Sequence, residues 1–575
     1  MDYTIRIGGE AGQGLQTIGG ALAKSFSRAG FHVFSHQDYM SRIRGGHNFY
    51  QIRFSSKELT ATKETVDVLI ALDLNTIDVH RKSLSDNGII LYDADFVKKT
   101  FEGPEFLNIP FEKIAVEKGE SKIMANSVAI GAVLGIFGLD LSVFKEIIKV
   151  TLKKKGDEII QKNILVAEAG LDHAVKHCSK CKGFELTQPS RDKKLMLING
   201  TSAIGLGAVM SGCKFYCAYP MTPSTGVFAY IAGKAKKYGI VVEQVEDEIA
   251  AINMALGASF GGVRAMTGSS GGGFALMAEG LSLAGMTETP IVIYESQRPG
   301  PATGLPTRTE QGDLLFVLYA GHGEFPRVIF APGTPEQAFY LTNKAFDLTE
   351  KYQIPVFVQS DQYLADSEWT HEKFDMERLV YRDYRLRGQE LEKLSDYKRH
   401  AYTETGVTPL AVSGVSKHLV VTDSDEHDEE GHIVEDGQTR IRMTEKRLLK
   451  KLPLIKQEID QPLFYGTDKP EILLTGYGST YGVMKEAVDI MSKDKGIAML
   501  HFSEVYPLPL LEKFDYLKLL KGSKLTVCIE MNATSQFARL IQSEIGYVFD
   551  KHVNKYDGRP FTIEGLIGEL NACIR

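Results

Sequence analysis

Between Cys213 and Gln359 the chain alternates six short apolar runs, CKFYCAYP, IVVEQV, VRAMTGS, TPIVIYES, RVIFAP and IPVFVQ, with segments of helical period. Strands that are apolar on both faces and separated by helices imply a parallel sheet covered on both sides, because parallel neighbours need a crossover long enough to form a helix. Ligands of such sheets bind outside the carboxyl ends of the strands, so the turns that follow these runs are the first places to look for chemistry. At 575 residues the chain exceeds the roughly 250–300 at which a single core stops growing, and several domains are expected.

The first of them opens on YTIRIGG, a strand running into the glycine turn GGEAGQG and then the helix LQTIGGALAKSFSRAG. FHVFSHQ, HNFYQIRFS and TVDVLIAL read as further strands and NSVAIGAVLGIFG as a helix, giving an α/β domain over residues 1–180. A lysine-rich stretch over 181–194 sustains neither period and reads as a linker to a domain at 195–367. Residues 368–469 are charge-dense and irregular, and 470–575 return to order as a smaller α/β domain with at least three βα repeats. A composition of 43% hydrophobic and 24% charged residues with net charge -7 belongs to a globular protein and gives no reason to expect a nucleic-acid partner. The start, MDYTIRIGG, lacks a signal-peptide layout and no apolar run reaches the eighteen or so residues of a membrane span, so the cytoplasm is the expected compartment.

Three turns carry the polar residues. CKFYCAYP ends in PMTPST, a proline-stiffened turn that presents Thr222, Ser224 and Thr225, although Ser and Thr there equally suit a helix N-cap. IVVEQV runs into EDEIAAINMALGAS, where Glu246, Asp247 and Glu248 start a helix built from small residues. Acids are favoured at any helix N-terminus, but Ala250, Ala251, Ala255, Gly257 and Ala258 let a flat ligand or another backbone approach closely. After TPIVIYES, the loop QRPGPATGLPTRTEQGD offers Arg298 and Arg308, whose planar forks suit carboxylates. The glycine run in MTGSSGGGF has neither the spacing nor the lysine of a P-loop.

Cys178 and Cys181 have the spacing of a metal knuckle or redox motif, and Cys213 with Cys217 is the one pair available to complete a zinc site. No ferredoxin-type cysteine run is present, so iron–sulfur chemistry has to come from another chain. Asp425, Glu426, His427, Asp428, Glu429 and His432 offer ligand types for a divalent metal, or else a solvated charged loop.

In this order, the segments resemble the α subunit of 2-oxoacid:ferredoxin oxidoreductases in the form with a γ domain fused in front, over nearly the whole chain. GGEAGQG and SRIRGGHN (Ser41 to Asn48) resemble the γ domain, AYPMTPST the family's Y-P-[IM]-T-P-S turn, and EDEIAAINMALGAS its cofactor-glutamate helix. RPGPATGLPTRTEQGDL, DEHDEEGHI and EMNATSQFARLI are similar to the branch acting on 2-oxoglutarate. The resemblance implies an α/β protein of three α/β domains. The central one would be a pyrimidine-type thiamine-diphosphate-binding fold with a parallel sheet, and the last a transketolase C-terminal-like domain.

It also implies roles. Glu248 would hold the aminopyrimidine of thiamine diphosphate, with Tyr219, Pro220 and Ser270 around the cofactor. Thr222 and Arg298 would contact the 2-oxoacid at the catalytic centre, and Arg308 a distal carboxylate. The implied reaction takes 2-oxoglutarate, coenzyme A and oxidised ferredoxin to succinyl-CoA, carbon dioxide and reduced ferredoxin, or the reverse. Pyruvate or a branched-chain 2-oxoacid is the alternative substrate. No G-D-G, the motif that holds the diphosphate through Mg²⁺, occurs in the chain. The Mg²⁺ site and a [4Fe-4S] cluster are therefore expected on a partner β subunit, in an (αβ)2 assembly, with no metal on this chain. A nucleotide-binding dehydrogenase is a poorer fit, since Thr17 replaces the third glycine of G-x-G-x-x-G and only Asp38 stands near the place of the ribose acid. A non-catalytic scaffold subunit is the reading of another class.

Overall fold

The computed structural model describes residues 1–41, 45–184, 186–187, 189 and 195–574. Arg42, Ile43 and Arg44 of the SRIRGGHN motif, and half of the expected linker at 181–194, lie outside the described residues. The chain forms two compact units. One consists of Met1–Ile198, Ser367–Phe374 and Thr562–Ile567, the other of Asn199–Asp366, Asp375–Phe561 and Gly568–Arg575.

The first unit is built on an eight-stranded mixed sheet in the order Phe106–Asn108, Leu84–Tyr92, Val66–Ala71, Asp2–Ala11, Gly45–Ser55, His32–Asp38, Glu368–His371, Met196–Asn199. The strands from Asp2–Ala11 to Phe106–Asn108 are parallel, while Gly45–Ser55 runs antiparallel to both its neighbours, Asp2–Ala11 and His32–Asp38. All the strands expected from the sequence are present. Met196–Asn199, expected to open the next domain, is instead the edge of this sheet, next to Glu368–His371 from the segment read as a connector. That returning strand is anchored by Glu368, whose Oε2 accepts from the Tyr50 hydroxyl at 2.7 Å. Helices Ala125–Ile136 and Asp157–His177 press together so closely that a Cβ on Gly131 would lie 1.9 Å from the Ala167 carbonyl oxygen. Beyond the second helix, Cys178 and Cys181 form a disulfide.

The second unit holds a seven-stranded sheet in the order Glu504–Tyr506, Val328–Phe330, Pro355–Asp361, Ile291–Gln297, Ala265–Ser269, Phe215–Ala218, Val241–Gln244. The six strands expected from the alternation are mutually parallel. The sheet is not wholly parallel, however, because Glu504–Tyr506 pairs antiparallel on one edge. Ile291–Gln297 and Pro355–Asp361 are buried along their whole length, as a central position requires, whereas Val241–Gln244 is an exposed edge despite its apolar reading. A five-stranded sheet in the order Leu463–Gly466, Ile497–Phe502, Ile472–Tyr477, Leu525–Glu530, Lys551–Asn554 completes the unit, with the three expected strands at its parallel centre.

The charge-dense segment is solvated only in part. His427 is fully buried, and Glu426 lies in the fork of Arg447, whose Nη1 and Nη2 donate at 2.8 and 2.7 Å, with Arg440 donating to it from the other side. Part of the polarity in this stretch is thus paired inside the protein, while Asp425, Glu430 and His432 stay exposed. Among the described residues no group of three or more His, Cys, Asp or Glu side chains is placed to hold a metal ion, and Cys213 and Cys217 are buried thiols. No helix among them is long and apolar enough to cross a membrane.

Candidate active site

Because the strands Phe215–Ala218, Val241–Gln244, Ala265–Ser269 and Ile291–Gln297 are parallel, the turns that follow them emerge at one edge of the sheet. That edge brings together three of the sequence's candidates. In the turn Tyr219–Ser224, the Ser224 hydroxyl donates to the Met221 carbonyl at 2.9 Å. Ser224 occupies the N-cap position of helix Thr225–Ala232 without capping it through its side chain, so the helix-cap account does not explain the hydroxyl. The Thr222 carbonyl is held from the other side by Arg298, whose Nη1 donates to it at 2.7 Å. Burial lowers the Arg298 pKa while the Asp313 charge opposes that shift.

Glu248 is the first residue of helix Glu248–Phe260 and only 3% exposed. Asp247 performs the capping, its side chain accepting from the Ala250 N–H at 2.7 Å, which leaves the Glu248 carboxyl free of that duty. The Ser269 hydroxyl stands 3.4 Å from Glu248 Oε1 and 3.7 Å from the Met221 sulfur, joining the glutamate to the PMTPS turn. The glycine run after Ser269 is there for space. A Cβ on Gly273 would lie 2.4 Å from Glu248 Oε1, and one on Gly271 would lie 2.2 Å from Asp313 Oδ2. Ser270, which follows Ser269, is fully buried with no hydrogen-bond partner for its hydroxyl among the described residues. A buried hydroxyl without a partner, one residue after the serine that meets the Glu248 carboxyl, suits a polar ligand, and a hydroxyl with a carboxyl fits an aminopyrimidine.

Tyr219 is exposed and Pro220 partly so, at the rim of the turn. Arg308, ten residues further along the loop from Arg298, is buried. Its backbone N–H donates to the Leu305 carbonyl at 3.1 Å, and its Cβ packs against Gly558. Sequence reasoning passed over Ser269, Glu295 and Asp313. Ser269 and Glu295 lie within apolar strands, where a single polar residue reads as noise, and Asp313 follows a loop of proline and glycine that hides its destination. Gln311, in the same loop, ties this edge to the last α/β section by donating to the Tyr477 carbonyl at 3.0 Å and accepting from the Met531 N–H at 2.9 Å. Within the first unit, the glycine turn borders a separate cavity of about 310 Å³ lined by Gly12, Gln13, Asp93, Lys122 and Asn126 among others.

Residues 206–446 match the family described as pyruvate flavodoxin/ferredoxin oxidoreductase, thiamine diphosphate-binding, and residues 4–173 match pyruvate ferredoxin/flavodoxin oxidoreductase. The 2-oxoacid:ferredoxin oxidoreductase subunit alpha of a Sulfolobus species is 31% identical, with 99% of this chain and 96% of that one aligned. The 2-oxoglutarate synthase subunit KorA of Methanocaldococcus jannaschii is 33% identical over 59% of this chain and 89% of its own. A solved 2-oxoglutarate:ferredoxin oxidoreductase from Magnetococcus marinus, with 2-oxoglutarate, coenzyme A and succinyl-CoA bound, matches 100% of both chains at 30% identity and a TM-score of 0.91. With the α/β fold, the buried glutamate and the Arg298–Thr222 contact in place, the chain belongs to the α subunits of the 2-oxoacid:ferredoxin oxidoreductases, with a thiamine-diphosphate-binding domain at its centre.

Proposed function

We propose that this chain supplies the aminopyrimidine-binding and substrate-gripping half of a 2-oxoglutarate:ferredoxin oxidoreductase site, forming succinyl-CoA from 2-oxoglutarate and coenzyme A or running the reverse. The observation that carries the reading is the single edge on which Glu248, Ser269, the Met221–Thr222 turn and Arg298 meet. Thiamine diphosphate, when bound, supplies the carbanion chemistry that cleaves the bond next to a 2-oxo group. Glu248 would hold a ring nitrogen of its aminopyrimidine through a carboxyl hydrogen bond, with Ser270 and the rim residues Tyr219 and Pro220 against the same group. Arg298, already fixed on the Thr222 carbonyl, directs its remaining N–H groups at a 2-oxoacid carboxylate, and the Thr222 side chain faces the same substrate.

Half of such a site belongs elsewhere. The chain has no G-D-G, and beside Glu248 the helix exposes Ile249 and Met254 at 48% and 41%. Exposed apolar side chains next to a buried functional acid suit coverage by a partner. A β subunit with the diphosphate, Mg²⁺ and a [4Fe-4S] cluster, paired as (αβ)2 and passing electrons to ferredoxin in the cytoplasm, completes the reading.

Reconstitution tests it. Carbon dioxide release from 2-oxoglutarate is expected when this chain, cofactor and the partner chain are combined, and none from this chain with cofactor alone. Release without the partner overturns the division of the site. The 2-oxoglutarate enzymes among its relatives favour that substrate, and Arg308 is the candidate for the distal carboxylate. Arg308→Met is expected to lower the kcat/KM ratio of 2-oxoglutarate over pyruvate about tenfold, the loss of one charged hydrogen bond. An unaltered ratio removes Arg308 from that role.

A further inference from the structure

The C-x-x-C motif in HCSKCKG is left unused by the proposed function, and two chemistries suit its spacing, a metal knuckle and a redox couple. The structure separates them. Cys178 and Cys181 are joined to each other by a disulfide, and a sulfur held in an S–S bond is not the thiolate that a metal takes. The His173 and His177 rings stand 4.5 Å apart just before the pair, yet among the described residues no group of three or more His, Cys, Asp or Glu side chains is placed to hold a metal ion.

As a staple this bridge is poorly placed. A disulfide stabilises a fold mainly through the freedom its closed loop removes from the unfolded chain, and that gain grows with loop length. Here the two cysteines have a sequence separation of 3, so the loop is nearly the shortest there is. Neither residue is sealed in the core, and each keeps part of its surface at the exterior. Exchange requires that much, since an incoming thiolate has to reach a sulfur.

What the bridge governs is local. It ties the end of helix Asp157–His177 to the turn that carries Phe184. Inside the bridged loop, Lys180 Nζ donates to the Asp86 carbonyl at 3.1 Å. Past it, the Phe184 N–H donates to the Cys181 carbonyl at 3.2 Å. The Phe184 ring is 9% exposed and meets Tyr3 and Phe137 with centroids 5.5 and 5.1 Å away, at the border of the first unit's core. An aromatic seated by so few bonds depends on whatever fixes its turn.

We propose that Cys178 and Cys181 form a reversible thiol–disulfide site, a substrate for protein dithiols of the thioredoxin class, and that its reduction loosens the turn that seats Phe184. In the exchange a thiolate of the dithiol attacks one sulfur, the S–S bond breaks, and its electron pair leaves on the other cysteine, which takes up a proton. The reductant's second thiol gives up its proton and attacks the mixed disulfide, releasing the first cysteine, which is protonated in turn. Two electrons and two protons reach the pair, and the reductant departs as its own disulfide. In the cytoplasm of the reading above, bridges are commonly redox-sensing or catalytic, which agrees with such a role. The exchange itself depends neither on that compartment nor on the active-site assignment.

The test uses the full-length chain, purified without reductant and alkylated under native conditions before and after treatment with thioredoxin, thioredoxin reductase and NADPH. Mass spectra of the peptides are expected to show Cys178 and Cys181 unlabelled before treatment, labelled after it, and unlabelled again once diamide has reoxidised the chain. Amide hydrogen exchange over residues 178–184 is expected to be about tenfold faster in the reduced chain, as for a local opening, with helix Ala125–Ile136 unchanged. The double variant Cys178→Ser, Cys181→Ser is expected to exchange at the reduced rate with or without the thioredoxin system. A bridge that the native chain does not give up to thioredoxin, or thiols that diamide does not rejoin, overturns the redox site. Stoichiometric zinc that shields both thiols in the reduced chain, and is absent from the double variant, overturns it in favour of a metal knuckle. Equal exchange over 178–184 in oxidised, reduced and variant chains overturns the link to Phe184.

Discussion

Glu248→Gln is expected to reduce 2-oxoacid decarboxylation by the assembled enzyme by about 10²–10⁴-fold, the range for removal of a positioned acid–base group, with assembly and fold intact. The substitution is nearly isosteric. The helix start is secured by Asp247 rather than by Glu248, so an amide at position 248 removes no cap. It retains an oxygen for the Ser269 hydroxyl, and Gly273 leaves it the same space. What it loses is the ability to exchange a proton with a ring nitrogen. Steady-state rates of the reconstituted complex, set beside its elution volume, check this. A rate equal to that of the native enzyme would make the chain a scaffold rather than half of a catalyst.

Glu288→Gln is expected to destabilise the second unit by about 3–5 kcal/mol, the usual result of removing one partner from a buried ionic cluster. Glu288 is 2% exposed, and its two carboxylate oxygens are in contact with the Lys446 and Lys451 ammonium groups. His400 Nδ1 lies 3.1 Å from Oε1 and its Nε2 lies 2.9 Å from the Thr422 hydroxyl oxygen, and burial holds this imidazole well below its ordinary pKa. Burial opposes the Glu288 charge, yet the two lysines hold its carboxyl well below the usual range. A depressed carboxylate contributes stability that is present above its unfolded value, near 4.5, and is lost as pH falls through the folded one. The gap between native and variant should therefore narrow on acidification. Denaturant midpoints measured from neutral pH downward check both the size and the sign.

The contrast between these two residues shows what a sequence makes legible. Six parallel strands were evident in the second unit because apolar runs of strand length recur between helical periods, and the turns after them were evident because a parallel sheet places its ligands there. Thr222, Glu248 and Arg298 were reachable by that logic. Glu288 was not, because an acid between a helix and a strand in TETPIV looks like any turn residue until Lys446 and Lys451 arrive from about 160 positions later. The same separation hid part of residues 368–469, where Lys446 and Lys451 meet Glu288 and Arg447 meets Glu426, while many of the segment's other charges face water. Strand Glu504–Tyr506 was hidden for a related reason. Three residues carry no period, and the sheet they join is drawn from another part of the chain.

The return of residues 367–374 to the first sheet bears on how the polypeptide is made. Synthesis proceeds from the amino end, and domains that are contiguous in sequence can fold as they emerge. This first unit cannot finish so early. Until Glu368–His371 leaves the ribosome, strand His32–Asp38 is an open rim, with the Val33 N–H waiting for Thr370 and the Tyr50 hydroxyl for Glu368. Val33 and its partner Thr370 stand 337 positions apart, and Thr562–Ile567 emerge later still. An unpaired strand edge held open for so long invites pairing with other nascent chains. Yield in a foreign host should thus depend on elongation speed and chaperone supply more than the final fold suggests, and a gene fragment ending near residue 180 should be prone to aggregate even though six strands of that sheet are encoded.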